Sequence, residues 1–124
     1  MKQPPKIILD LKKEPELLNT VAREWADAVS YKTKKTQIRN YYDKILELQE
    51  EMKDKSFLDV YPFVKMLSSK VAYGVARGVV SREFQKMMEE CLAQIPYDEK
   101  KGKDKFEVFK YFFEAVLGFF KGGN

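Results

Sequence analysis

KVAYGVARG, residues 70–78, brings small, apolar and cationic side chains together at helical spacing. Taken as part of a helix that starts near Pro62 and ends about Val79, it places Phe63, Val64, Leu67, Val71 and Val75 on one arc. That recurrence at i, i+3, i+4 and i+7 marks a core-facing stripe. Lys70, Tyr73 and Arg77 share a neighbouring arc, where Gly74 and Gly78 leave gaps that allow close approach to the backbone. A glycine inside a helix costs about 1 kcal/mol relative to alanine, so Gly74 points to a packing or docking reason. The plainer reason is that another helix crosses there while Lys70 and Arg77 reach into water.

Upstream, TQIRNYYDKILELQEEMK repeats Ile38, Tyr41, Ile45, Leu48 and Met52 at steps of three and four, and Thr36 is its expected N-cap. Asp43, Glu47 and Glu50 recur on its other side. With Arg39 four residues before Asp43 and Lys44 alongside, they read as a solvated, ion-paired face rather than a carboxylate site. The linker SYKTKKT before this helix collects Lys32, Lys34 and Lys35. A first helix over residues 15–31 carries Leu18, Val21, Trp25 and Ala28 or Val29, with Pro15 tolerated in its first turn. Trp25, the only tryptophan, is expected as a core or subunit-contact anchor. Residues 1–13, with Pro4–Pro5 and one short apolar run, are expected as an extended arm laid on the body.

Downstream, Ser81 offers a cap for a fourth helix with Phe84, Met88, Cys91 and Ile95 on one line, widened by Met87 and Leu92 and ended by Pro96. The polar YDEKKGKDK reads as a loop, and Asp104 with Glu107 resembles a capping box for a fifth helix. Phe106, Phe109, Phe112 or Phe113, Val116, Leu117 and Phe120 form its apolar face, and residues 122–124 are expected as a frayed tail. With Phe119 included, that face is wider than a small bundle needs. Trp25, Phe119 and Phe120 are therefore the candidate protein–protein contacts. Five helices and no alternating strand predict an all-α bundle, one helical domain over residues 1–124.

The chain has 124 residues, 44% hydrophobic and 34% charged, within the range of a single globular domain. It contains no histidine and one cysteine, Cys91, which removes the commonest general base, the usual zinc sites and any internal disulfide. No catalytic group, cofactor or metal is expected. A net charge of +4 permits a polyanionic partner without demanding one. No run approaches the roughly 18 apolar residues that span a bilayer, and MKQPPK lacks the apolar stretch of a signal peptide, so a cytoplasmic protein without membrane contact is expected.

QIRNYYDKIL (residues 37–46), KVAYGVARG (70–78) and FFEAVLGFFK (112–121), in this order and spacing, resemble the small helical subunit of the type III-A CRISPR effector, the Csm complex of bacteria and archaea. The resemblance covers residues 36–121. It implies a non-enzymatic antiviral-defence component that stacks in copies along the complex interior, beside other Csm subunits, the guide RNA and the target RNA. By motif position it implies RNA contact at Arg39, Lys70 and Arg77. Lys34, Lys35 and Arg82 join them on local grounds, as cations at helix entrances. The competing expectation is a helical assembly or homodimerisation module with no RNA contact.

Overall fold

In the computed structural model, which describes residues 3–122, the chain forms five helical rods and, among the described residues, no strand. The all-α class is as expected. Helix α1 (Ala22–Ser30) is entered through a π-helical turn, Leu17–Val21; α2 is Lys35–Glu51. The third rod consists of α3 (Phe57–Lys65) and α4 (Leu67–Ala76), and it is followed by α5 (Arg82–Leu92) and α6 (Glu99–Phe119). Helix α6 packs against α1, α2 and α3, while α4 packs against α5.

Several boundaries differ from the expected ones for identifiable reasons. The third rod starts at Ser56, whose hydroxyl accepts from the Asp59 N–H at 3.2 Å, so Pro62 lies inside a helix rather than at its start. The rod is broken at Met66, which keeps right-handed dihedrals (φ −65°, ψ −17°) so that the chain runs on into α4. Its buried side follows Phe57, Val60, Val64, Leu67 and Val71. Phe63 falls off that three–four sequence and is 52% exposed, against its expected burial. Helix α2 starts one residue before Thr36, with Lys34 at the cap position and no side-chain cap. Helix α6 starts at Glu99, not near Asp104, because the Asp98 carboxylate accepts from the Lys101 N–H at 2.8 Å.

That early start links the rods. The Glu99 carboxylate also accepts from the N–H groups of Phe57 (2.8 Å) and Leu58 (3.2 Å). One side chain thereby neutralises two unpaired donors at the start of α3. Gly102 is buried in the same joint. A Cβ there would overlap the Phe57 ring and lie 2.5 Å from the Pro96 carbonyl oxygen, so only glycine lets α6 pass this closely.

The arm is held by side chains acting as a strand partner would. Gln94 donates to the Ile7 carbonyl (2.8 Å) and accepts from the Leu9 N–H (2.9 Å). Glu90 accepts from the Ile7 N–H, Lys105 donates to the Leu9 carbonyl, and Ile7 and Leu9 are buried. The arm ends in a turn where the Lys13 and Lys12 N–H groups hold the Asp10 carboxyl below its usual range. Residues 1 and 2 of the expected arm and residues 123 and 124 of the expected tail lie outside the described residues.

Trp25 takes the core role of the two expected for it. It is 1% exposed and its indole N–H donates to the Pro5 carbonyl at 2.7 Å, so it closes the core beneath the arm. Phe119 and Phe120 are only half-buried, Phe119 beneath the Arg23 guanidinium at 4.9 Å. Cys91 is fully buried, and burial pushes its thiol well above the ordinary range, consistent with a core role.

Two measurements probe this packing. Gly102→Ala should destabilise the fold by about 1–3 kcal/mol in urea titration, the cost of overpacking a close contact. Tyr42, whose hydroxyl donates to Glu114 at 2.8 Å, is pushed up to about 12 by desolvation and then by that carboxylate. Its folded value exceeds the ordinary 10.0, so its contribution is complete below pH 10 and fades as pH rises to about 12. Tyr42→Phe should flatten that part of the stability–pH curve.

Candidate nucleic-acid interface

Two residues 48 positions apart join the entrances of α2 and α5. The Ser81 hydroxyl caps α5 by accepting from the Phe84 N–H (3.1 Å), and the Thr33 hydroxyl donates to it at 3.0 Å while accepting from the Ser81 N–H. Both are buried. The Lys34 N–H donates to the Val79 carbonyl at 3.1 Å, bringing the turn after α4 to the same joint. Gly78 makes that turn at φ 73°.

Beside the joint lies an open cleft of about 1550 Å³. Lys32, Lys34, Arg82 and Lys86 line it together with Tyr31, Gly78 and the carboxylates Glu24, Asp27 and Glu83. Lys34 and Arg82, two of the expected RNA-contacting residues, therefore share one wall.

The remaining four fall into two pairs, divided by the orientation of α2. Tyr41 points to α4 and α5, its hydroxyl donating to the Lys70 carbonyl at 2.9 Å and its ring 5.1 Å from that of Phe84. A Cβ at Gly74 would lie 2.9 Å from that hydroxyl and 3.0 Å from Val80 Cγ2, so the gap at Gly74 is filled from within the fold, by side chains rather than by a crossing helix. Arg77, whose positive charge opposes the upward effect of burial on the Tyr41 phenol, and Lys70 lie on this flank. Tyr42 points the other way, to Glu114 and Phe113 of α6. Arg39, three residues before Tyr42, and Lys35, four before Arg39, lie on that second flank by helical register.

Arg39, Lys70 and Arg77 thus do not form one line along two helices. What the six cations share is exposure, although Arg77 lies over the Tyr73 ring at 5.4 Å. All are solvent-exposed, and among the described residues none lies within ion-pair distance of a carboxylate. Lysines at the acidic half of α2 contrast with them: Lys44 within it pairs with Glu47 (3.4 Å), and Lys53 and Lys55, in the segment that follows, pair with Glu50 (3.0 Å) and Glu51 (3.2 Å). That half is the ion-paired face expected, although Arg39 and Asp43 do not pair. Among the described residues no three histidine, cysteine or acidic side chains converge to hold a metal, and no helix is long and apolar enough to cross a membrane.

Against known families, one match covers residues 12–123. The chain belongs to the Csm2 Type III-A family. It is therefore a non-catalytic small subunit of the type III-A Csm complex of CRISPR defence, and it associates with other Csm subunits. No curated protein and no solved structure matches it. The Csm2 match begins just past Leu11, so the buried arm residues Ile7 and Leu9 precede the matched region.

Sequence reasoning passed over three cleft residues. Tyr31 reads as the end of a helix, and Lys86 carries no signal that separates it from other lysines. Thr33 has no local signal, since its partner is 48 residues away. Ser81→Ala removes both the α5 cap and the acceptor for the Thr33 hydroxyl, while the backbone N–H of residue 81 still donates to Thr33. It should cost about 1–2 kcal/mol in thermal or urea unfolding.

Proposed function

We propose that this Csm2-family subunit contacts the backbone of guide and target RNA through exposed cations at the entrances of α2 and α5 and along α4. Copies stack along the interior of the cytoplasmic Csm complex, and each contributes a few contacts. The observation that supports this is the set of cations Lys34, Lys35, Arg39, Lys70, Arg77 and Arg82, all exposed and, among the described residues, none within ion-pair distance of a carboxylate. Lysine and arginine on helices engage phosphates without reading bases, and pairing between guide and target supplies the sequence specificity. Three pairs on different flanks suit a subunit wedged beside a strand and its neighbours better than one lying along a straight duplex. A few contacts per copy bind weakly alone, and repetition along the stack raises the total.

A second reading, assembly without RNA contact, draws on the α3–α4 rod. Phe63, Met66 and Tyr73 lie exposed at helical spacing there, Tyr73 at 65%, as a surface for protein contact. The double substitution Arg39→Ala with Arg77→Ala separates the two in the assembled complex. RNA contact predicts weaker target binding and a log-affinity versus log-salt slope shallower by about 0.7 to 0.9 per lost phosphate contact. Unchanged affinity and slope in a complex that assembles normally would favour the assembly reading.

A further inference from the structure

The cleft beside the Thr33–Ser81 joint holds more than a phosphate backbone requires. Tyr31 stands at it 73% exposed, with the Lys32 ammonium 5.4 Å from its ring centroid. Lys32 has φ 64°, the left-handed region that favours glycine, so a lysine there carries a backbone cost. Lys34, Arg82 and Lys86 line the same space, exposed and with no carboxylate in ion-pair distance among the described residues.

We propose that this cleft seats one unpaired nucleotide of a single-stranded RNA segment, its base against the Tyr31 ring and its phosphate among Lys32, Lys34 and Arg82. An exposed aromatic beside flexible cations is the pairing that binds single strands, because every base offers a π-face and every nucleotide a phosphate. A base held in a duplex is stacked on its neighbours and cannot reach the ring. The volume of about 1550 Å³ accommodates a nucleotide, as ligand sites run to about 300–1,000 Å³. Glu24, Asp27 and Glu83 also line the cleft, and their charge opposes a continuous run of phosphates while leaving room for one at the cationic lip. The seat rests on the RNA-contact reading above and adds to it a preference for unpaired RNA.

The full-length chain and its Tyr31→Ala, Lys32→Gly and Lys70→Ala/Arg77→Ala variants can be titrated at low salt. The probes are a labelled short single-stranded RNA and a duplex of equal length, followed by fluorescence anisotropy. Tyr31→Ala should weaken single-strand binding by about 5- to 100-fold and leave duplex binding unchanged, the loss of one base stack. Tyr31 is exposed, so the variant keeps its fold, as circular dichroism will show. Lys32→Gly should also weaken single-strand binding while raising the thermal midpoint, since it relaxes the backbone. If Tyr31→Ala binds the single strand as the parent does, while Lys70→Ala/Arg77→Ala weakens both RNAs, the nucleotide seat is wrong and RNA contact stands. If the parent chain binds neither RNA, alone or in the assembled complex, both are wrong.

Discussion

Burial of the Phe113 ring is the constraint on which the arrangement of helices depends. From α6 it stacks on Tyr42 of α2 at 6.1 Å, meets Phe84 of α5 edge-on at 6.1 Å, and lies 6.3 Å from Phe109 one turn earlier. Phe84 passes the contact to Tyr41, whose hydroxyl reaches the backbone of α4. Each such ring pair contributes about 0.5–1.5 kcal/mol beyond the area it buries. Their larger effect is geometric. Tyr41 and Tyr42 are adjacent and satisfied on opposite sides, so α2 has only one rotation about its axis that fits both. The cations at its entrance are fixed with it.

Much of the fold was legible because burial imposes a period. The stripe Ile38, Tyr41, Ile45, Leu48, Met52 and the line Phe84, Met88, Cys91, Ile95 are buried as their spacing requires, and Ser81 caps α5. The misreadings fall where a local signal competes with a distant one. Pro62 reads as a helix start, but Ser56 supplies a cap earlier and the helix runs through Pro62 at the cost of one backbone donor. Asp104 and Glu107 read as a cap, yet Asp98 and Glu99 act first. Glu99 does so because α3 presents it with two free N–H groups, a condition no local window contains. Trp25 reads equally as core or contact, and the choice is made by an arm twenty residues away.

The candidate interface was legible in composition and not in layout. Candidate cations can be named from the motifs and the helix entrances, but whether each is paired and which flank it occupies depends on the fold, above all on the rotation of α2, which follows from rings on α5 and α6. The Thr33–Ser81 joint, which gathers Lys34 and Arg82 into one cleft, has no sequence signature at all.

The charge distribution of α2 carries the same conclusion from a different direction. A helix is stabilised by acidic residues in its first turn and basic ones in its last, each by about 0.3–1 kcal/mol. Here Lys34 and Lys35 stand at the positive end with no acidic residue in the first turn and no side-chain cap, while the last turn holds Glu50 and Glu51 with no basic residue of its own. The acidic end is relieved by lysines, Lys53 bonding to Glu50 and Lys55 to Glu51. The basic end has no such relief. There the partial charge of the helix, its free N–H groups and two ammonium groups add together instead of cancelling. Such an arrangement lowers the stability of α2 in the isolated chain. An anion beside Lys34 and Lys35 would offset that cost, and the phosphate contact proposed above is one that would supply it.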